Sequence, residues 1–242
     1  MRKTNMHPFL EHGGPLAIVH RGGGEAAAEN SMEAFQAAWN LGFRWFETDV
    51  RATSDGHLVL AHDGAMARGH GGSRKVGALS AAECTRAGIP SLAKLLHAFP
   101  FARVNIDPKT DAAAHLLPNE LSGAIDRVCV GCFSDSRIRW LRDKMGKGIC
   151  TALSPREVLA LRLGKLRETG ACCAQVPLRW WGIPVVDARF IRAAHALGLA
   201  VHVWTINGEA QMNRLLDMGV DGIMTDAPDV LKKVFAERKF PL

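Results

Sequence analysis

Short apolar runs recur along the chain and alternate with segments of helical periodicity. The runs that we interpret as β-strands cover residues 16–20, 43–50, 102–107, 128–133, 148–153, 171–177, 200–206 and 222–225. Most of them are continuously hydrophobic, as expected of parallel strands whose outer face is covered by helices. This alternation predicts an α/β fold built on one parallel sheet.

The segments between the runs carry helix signals. Helices are predicted over 31–41, 91–98, 111–124, 135–144, 155–167, 187–197, 208–218 and 228–237. Asn30 is the candidate N-cap of the first of these and Asn207 that of the seventh. Pro118 makes the third helix the least regular, because proline lacks a backbone donor.

Eight strand–helix units in succession are typical of a (β/α)8 barrel, the TIM barrel. A doubly wound nucleotide-binding sheet is disfavoured, because the glycines at 22–24 lack the G-x-G-x-x-G spacing. Residues 57–62 form one further strand-like run with no helix before it. We therefore expect a single domain over 1–242, with a small cap insertion after the second strand, at about 51–90.

Composition narrows the class of protein. The 242-residue chain is 48% hydrophobic, enough for a large core, and this excludes a disordered chain. Its net charge of +6 suits an anionic small substrate or a phospholipid surface. No nucleic-acid-binding motif accompanies the charge, so nucleic acid is not an expected partner. The basic run from Arg127 to Arg167 is interpreted as a solvated helix face, with weak membrane-surface contact as the alternative.

A cytoplasmic location is expected. The first fourteen residues are basic but lack the apolar stretch of a signal peptide, and charges interrupt every other apolar stretch before it could span a membrane. The cysteines are interpreted as free thiols of a reducing compartment. Cys129 and Cys132 have C-x-x-C spacing, but residues three apart on a strand point to opposite faces, which disfavours a shared metal. The sequence leaves the oligomeric state open.

Chemically reactive side chains stand at or near the ends of the strand-like runs. Because the carboxyl ends of barrel strands meet at one rim, we expect these side chains to converge there. They are His20, Arg21, Glu47, Asp49, His62, Asp107, Lys109 and Trp204.

The residue types indicate phosphate chemistry assisted by a metal ion. Glu47 and Asp49, two apart on one strand, face the same way, and a further carboxylate at Asp107 completes an oxygen-rich site for Mg²⁺ or Ca²⁺. Arg21 and Lys109 are suited to bind phosphate oxygens. Two histidines beside a phosphate can act as general acid and general base near neutral pH.

The same residues carry a family resemblance that spans roughly residues 16–230. Its motifs are H-R-G at 20–22, E-N-S at 29–31, E-x-D at 47–49, D-G-x-x-V-x-x-H-D at 55–63, I-P-S-L at 89–92, I-D-x-K at 106–109, V-x-V-W-T-I-N at 201–207 and G-V-D-G-I-M-T-D-A-P at 219–228. In this order they resemble the glycerophosphodiester phosphodiesterase family. The family pattern usually has Glu where this chain has Asp107, and residues 64–72 also depart from it.

The resemblance implies hydrolysis of a glycerophosphodiester to sn-glycerol 3-phosphate and an alcohol, on a TIM barrel with one bound Mg²⁺ or Ca²⁺. It implies an acid–base pair, His20 and His62, and three metal ligands, Glu47, Asp49 and Asp107. It also implies that Arg21 and Lys109 hold the phosphate and that Trp204 lines the glycerol or leaving-group side. Either water or the substrate's own glycerol hydroxyl could attack phosphorus. Alternative functions are a lysophospholipase D or a non-catalytic barrel that binds a phosphodiester.

Overall fold

The computed structural model describes residues 6–24, 27–68 and 72–242. The strands are β1 (Leu16–His20), β2 (Trp45–Ala52), β3 (Leu58–Leu60), β4 (Ala65–Arg68), β5 (Gly72–Lys75), β6 (Arg103–Pro108), β7 (Val128–Val130), β8 (Cys150–Thr151), β9 (Cys173–Pro177), β10 (Arg179–Trp180), β11 (Ile183–Pro184), β12 (Ala200–Trp204) and β13 (Gly222–Thr225). The α-helices are α1 (Met32–Leu41), α2 (Ala81–Arg86), α3 (Leu92–Ala98), α4 (Asp111–Glu120), α5 (Asp135–Met145), α6 (Pro155–Arg162), α7 (Ala188–Ala196), α8 (Glu209–Asp217) and α9 (Pro228–Glu237). Residues 1–5 of the basic N-terminus and 69–71 of the expected insertion lie outside the described residues.

The barrel is a parallel sheet in the order β8–β7–β6–β2–β1–β13–β12–β9. A parallel bridge between Ala152 and Cys173 connects β8 to β9 and so completes the ring. Each of the eight apolar runs that predicted a barrel strand supplies one of these strands. The predicted (β/α)8 barrel is therefore confirmed.

The main hydrophobic core lies between the strands and the surrounding helices. Phe46 of β2 lies 5.3 Å from Phe35 of α1 and 5.5 Å from Phe99 after α3, measured between ring centroids. All three rings are buried. Burying such a ring stabilises a fold by about 1.5–3 kcal/mol, so these contacts fix the helices against the sheet. None of the described helices has the length and hydropathy to cross a bilayer.

Two predicted helix caps are wrong by one residue. Ser31, not Asn30, accepts the backbone N–H of Ala34 at the start of α1, at 3.1 Å. Asn30 adopts a left-handed φ of 58° and turns its side chain into the protein. Gly208, not Asn207, is the N-cap of α8. Both asparagines instead bind side chains at the barrel rim, described below.

Two predicted helices also have different bounds. The segment predicted over 155–167 is helical only to Arg162, and Gly164 follows with a φ of 68°, a conformation that ends helices. The segment predicted over 111–124 ends at Glu120 and passes through Pro118 without a break.

The extra strand-like run after β2 folds back on it. β3 pairs antiparallel with β2, with Val50 opposite Leu60, and β4 pairs antiparallel with β5. At the opposite end of the barrel, Phe9 and Leu10 are buried under the strands, and Trp45 Nε1 donates to the Phe9 carbonyl oxygen at 2.9 Å. The N-terminal end is thus filled by side chains, and the C-terminal end carries the cavity.

Candidate active site

A cavity of about 500 Å³ opens at the carboxyl ends of the barrel strands. Strand register brings the predicted residues to it, because His20 is paired with Glu47 across β1 and β2, and Asp49 with Asp107 across β2 and β6. All eight predicted residues line the cavity: His20, Arg21, Glu47, Asp49, His62, Asp107, Lys109 and Trp204.

His20 is held between two carboxylates at the end of β1. Its Nδ1 lies 2.6 Å from Asp226 Oδ1, and its Nε2 lies 3.6 Å from Glu47 Oε2. Burial lowers the pKa of His20, but the hydrogen bond to Asp226 and the negative charge of Glu47 outweigh it and raise the pKa above its usual value. The imidazole is therefore oriented by Asp226, and its protonated form is more favoured than that of a free histidine.

Glu47 is 4% exposed and receives the backbone N–H of Arg21 on Oε2 at 3.2 Å. Burial, followed by the negative charge of Asp49, raises the pKa of Glu47 to about 8. Ionising a carboxyl group in this buried environment is therefore costly unless a cation lies beside it.

Asp49 is 1% exposed and lies between two cations. Arg21 Nε is 2.8 Å from its Oδ2, and Lys109 Nζ is 2.6 Å from its Oδ1. Lys109 Nζ is also 2.6 Å from Asp107 Oδ2, so the lysine bridges two carboxylates on neighbouring strands. Burial raises the pKa of Asp107, and Lys109 only partly opposes this.

His62 reaches the cavity from the segment that follows β3. Arg51 of β2 donates from Nε and Nη2 to the His62 carbonyl oxygen, at 3.0 and 2.7 Å, and so fixes its backbone. The His62 side chain is 39% exposed, and its Nδ1 lies 2.9 Å from Asp63 Oδ1. This histidine therefore lies on the open side of the cavity and is more exposed than His20.

One wall of the cavity is aromatic and aliphatic. Phe133 stacks on Trp180 at 5.3 Å and meets Trp204 edge-on at 5.6 Å. The hairpin of β10 and β11 extends this wall outward with Ile183 and with Trp181, which is 88% exposed. Exposed apolar surface of this kind marks a contact site for an apolar partner or substrate group.

Known proteins resemble this chain along most of its length. The model of the Glycerophosphoryl diester phosphodiesterase family matches residues 20–230. The chain belongs to this family. The protein named probable glycerophosphodiester phosphodiesterase 2 of Mycobacterium tuberculosis is 39% identical over 248 residues, which cover 95% of this chain and 94% of that protein. The rat protein named lysophospholipase D GDPD1 is 26% identical, over 89% of this chain and 84% of that protein.

A solved structure of the family shares the fold. The phosphodiesterase OLEI02445 of Oleispira antarctica, solved in complex with the product sn-glycerol-3-phosphate, superposes with a TM-score of 0.73 at 18% identity. The match covers 93% of this chain and 97% of that one. At this identity the likeness shows a shared fold and no more.

Two rim residues of this family member had no predicted role in the active site. Asn30 is buried, accepts the Thr48 hydroxyl on Oδ1 at 2.7 Å, and donates from Nδ2 to Asp49 at 3.3 Å. Asp226 orients His20 and accepts Asn207 Nδ2 at 3.2 Å. Both stand in the quoted motifs, and Asp226 directly follows the eighth strand, a position at which an active-site role could have been inferred.

The carboxylates of the site can be compared with the ligands that the divalent cation implied by the family resemblance would need. Glu47, Asp49 and Asp107 present hard carboxylate oxygens from adjacent strands, and burial is the main cause that raises the pKa values of Glu47 and Asp107. These properties fit Mg²⁺ or Ca²⁺. The ammonium of Lys109 bridges Asp49 and Asp107, so we expect a bound cation to compete with it for these two oxygens.

Proposed function

We propose that this protein hydrolyses glycerophosphodiesters to sn-glycerol 3-phosphate and an alcohol. The observation that carries the proposal is the position of His20, a histidine with a raised pKa that faces buried carboxylates and a cationic pair across one cavity. Family membership and the product bound to the Oleispira antarctica relative support the same reaction.

His20 and His62 share the proton transfers in this proposal. Hydrolysis breaks the bond between phosphorus and the leaving oxygen, forms a new phosphorus–oxygen bond, and moves one proton from the nucleophile to the leaving alkoxide. His20 suits the acid step, because Asp226 and Glu47 favour its protonated form. His62 then acts as the base. The nucleophile is either water or the substrate's glycerol hydroxyl, and trapping of a cyclic glycerol phosphate would identify the second.

The charges of the site suit a phosphodiester. Arg21 and Lys109 bind the non-bridging oxygens, once the substrate draws them from Asp49. Glu47, Asp49 and Asp107 are the residues that would hold one Mg²⁺ or Ca²⁺. A bound cation of this kind neutralises charge on the phosphate and polarises a coordinated oxygen. Trp204 lines the side of the glycerol or the leaving group.

The test is release of glycerol 3-phosphate from glycerophosphocholine and glycerophosphoethanolamine, with Mg²⁺, with Ca²⁺ and with EDTA. We expect metal-dependent release and a loss of about 10²–10⁴-fold in kcat for His20→Ala, the range of general acid–base catalysis. His97→Ala is the matched control, because His97 is exposed on α3 and does not line the cavity. No release by the wild type under any of these conditions would overturn the proposal for these substrates.

The apolar wall favours a second candidate, a lysophospholipase D that removes the head-group alcohol from a lysophospholipid. Phe133, Trp180 and Ile183 line the cavity beside the phosphate-binding residues, where the acyl chain of such a substrate would need an apolar surface. The rat relative named lysophospholipase D supports this candidate.

Vesicle co-sedimentation and hydrolysis of lysophosphatidylcholine test the second candidate. Trp181→Ser is expected to weaken binding to anionic phospholipid vesicles and to raise KM for lysophosphatidylcholine, while hydrolysis of glycerophosphocholine stays unchanged. Phe101→Ser is the control, because Phe101 is 80% exposed but precedes β6 at the opposite rim of the barrel. If both variants bind vesicles equally well, the apolar wall does not serve as the contact surface for an acyl chain.

A further inference from the structure

Three cysteines from consecutive barrel strands converge inside the barrel. Cys129 lies on β7, Cys150 on β8 and Cys173 at the start of β9, and all three are 0% exposed. Their sulfur atoms lie within 4.8 Å of one another. Sequence spacing disfavoured a metal shared by Cys129 and Cys132, but it could not show that barrel closure joins cysteines from three separate strands.

The cluster lies below the floor of the cavity. Gln175 and Asn105 both line the cavity, and Gln175 Nε2 donates to Asn105 Oδ1 at 2.9 Å. The same Nε2 lies 3.9 Å from Cys129 Sγ. The thiols are therefore separated from Glu47, Asp49 and Asp107 by a layer of polar side chains.

The spacing of one pair of sulfurs matches a tetrahedral metal site. Cys129 Sγ and Cys173 Sγ are 3.8 Å apart. Two thiolates at the usual zinc–sulfur bond length of about 2.3 Å and a tetrahedral angle are also about 3.8 Å apart. An ion could thus bind along this edge without moving either strand.

A candidate fourth ligand, His202, lies beside Cys173, and its ring would have to turn toward the other two sulfurs to join the group. His202 of β12 is 0% exposed, and its Nε2 has no hydrogen-bond partner among the residues that the structure describes. Its Nδ1 lies 3.4 Å from Gln175 Nε2. A buried ring nitrogen without a partner is costly, and a metal bond would satisfy it.

We propose that Cys129, Cys150, Cys173 and His202 form a structural zinc site in the barrel interior. Zn²⁺ forms three bonds to sulfur and one to nitrogen there, each thiol that is still protonated releases its proton to solvent, and no electron is transferred. Soft thiolate ligands select Zn²⁺ over the Mg²⁺ or Ca²⁺ suited to the carboxylates of the active site. The ion would tie β7, β8, β9 and β12 together directly under the floor formed by Gln175.

Metal content and cobalt absorption test this site in the wild-type protein. Protein grown with added zinc and dialysed against EDTA, which strips a carboxylate site, is expected to retain about one zinc ion per chain. After unfolding under reducing conditions and refolding with Co²⁺, we expect an intense thiolate-to-cobalt charge-transfer band, which oxygen ligands do not give. Zinc at background level together with no such band would overturn the proposal and leave the cysteines as packed thiols.

Two single substitutions locate the site. Cys150→Ser is expected to abolish zinc retention and the cobalt band, with circular dichroism confirming that the barrel remains folded. Cys84→Ser is the matched control, since Cys84 is equally buried but packs with Val59, Val76 and Leu79 outside the barrel. Retention of zinc and of the cobalt band by a folded Cys150→Ser protein would also overturn the proposal.

Discussion

His20 Nδ1 lies 2.6 Å from Asp226 Oδ1, although the two residues are 206 positions apart in the chain. The contact exists because β1 and β13 are neighbours in the barrel, so their carboxyl ends place both residues at one point of the rim. It fixes the imidazole with Nε2 on the side of Glu47. The pair is therefore the feature that orients the proposed acid.

Asp226→Asn should change the pH dependence of activity. The carboxylate raises the pKa of His20, so its removal lowers that pKa. If protonated His20 is the acid, activity is lost as pH rises through this pKa, and the alkaline limb of kcat/KM moves to lower pH. The plateau should fall less than the roughly 10²–10⁴-fold loss expected for His20→Ala, because the imidazole remains.

The measurement for this variant is a pH profile of glycerol 3-phosphate release. Asp217→Asn is the control, because Asp217 is an exposed carboxylate that pairs with Arg238 outside the cavity. An alkaline limb that stays in place in Asp226→Asn would show that another group limits activity at high pH.

Asp107→Asn should weaken the response to the divalent cation. The substitution removes one of three candidate anionic ligands and leaves the ammonium of Lys109 with Asp49 alone. We expect the Mg²⁺ or Ca²⁺ concentration for half-maximal activity to rise by about tenfold or more, the scale seen when metal-site support is lost. Asp107→Glu, which restores the carboxylate and matches the usual family residue, should recover most of the affinity.

Calorimetric titration with each cation separates this loss of affinity from a loss of turnover. Asp111→Asn is the control, because Asp111 is exposed at the start of α4 and pairs with Arg137. An unchanged cation affinity in Asp107→Asn would remove Asp107 from the ligand set.

The barrel could be predicted from the sequence because most strands are continuous apolar runs and each rim residue stands at or near a strand end. His20 and Asp107 come to the same cavity for this reason. Motif order added the likeness to the family, which the match over 20–230 confirms.

The features that could not be predicted depend on contacts between segments distant in the sequence. The sequence around Asn30 indicates a helix cap. Only the structure shows that its left-handed backbone turns the amide toward Thr48 and Asp49. The grouping of Cys129 with Cys173 is set by the order of strands around the ring, which spacing along the chain does not encode.

Glu157→Gln should destabilise the protein, and the loss should depend on pH. Burial opposes ionisation, but donors from Arg142, Ser154 and Thr169 hold the pKa of Glu157 at about 2. A depressed pKa contributes stability that is present above the unfolded value of about 4.5 and is lost as pH falls toward 2. We expect a loss of about 1–3 kcal/mol at pH 7.

Urea unfolding at several pH values measures this effect. The difference between wild type and Glu157→Gln should shrink steadily below about pH 5. Glu168→Gln, at an exposed position nearby, should be nearly neutral at every pH. A difference that is the same at pH 3 and pH 7 would mean that the ionised carboxylate is not what stabilises this region.

Gly22→Ala should cost more stability than Gly56→Ala, although both glycines have a φ just above +80°. An alanine in this left-handed region costs about 1–2 kcal/mol at either position. At Gly56 a new Cβ meets nothing within 4 Å, but at Gly22 it comes within 2.7 Å of Ala34 Cβ in the first turn of α1. Because that turn is packed on the barrel, the overlap adds about 1–3 kcal/mol.

The matched pair of glycine variants separates backbone strain from steric overlap. The loss in free energy of unfolding, measured with urea, should equal the backbone strain alone for Gly56→Ala. For Gly22→Ala it should equal the backbone strain plus the steric overlap. Activity should fall only in Gly22→Ala, because displacement of the H-R-G turn moves Arg21, next to Gly22, away from Asp49. Equal losses of stability in both variants would show that α1 yields to the extra methyl group, and that the H-R-G turn needs glycine for its backbone conformation alone.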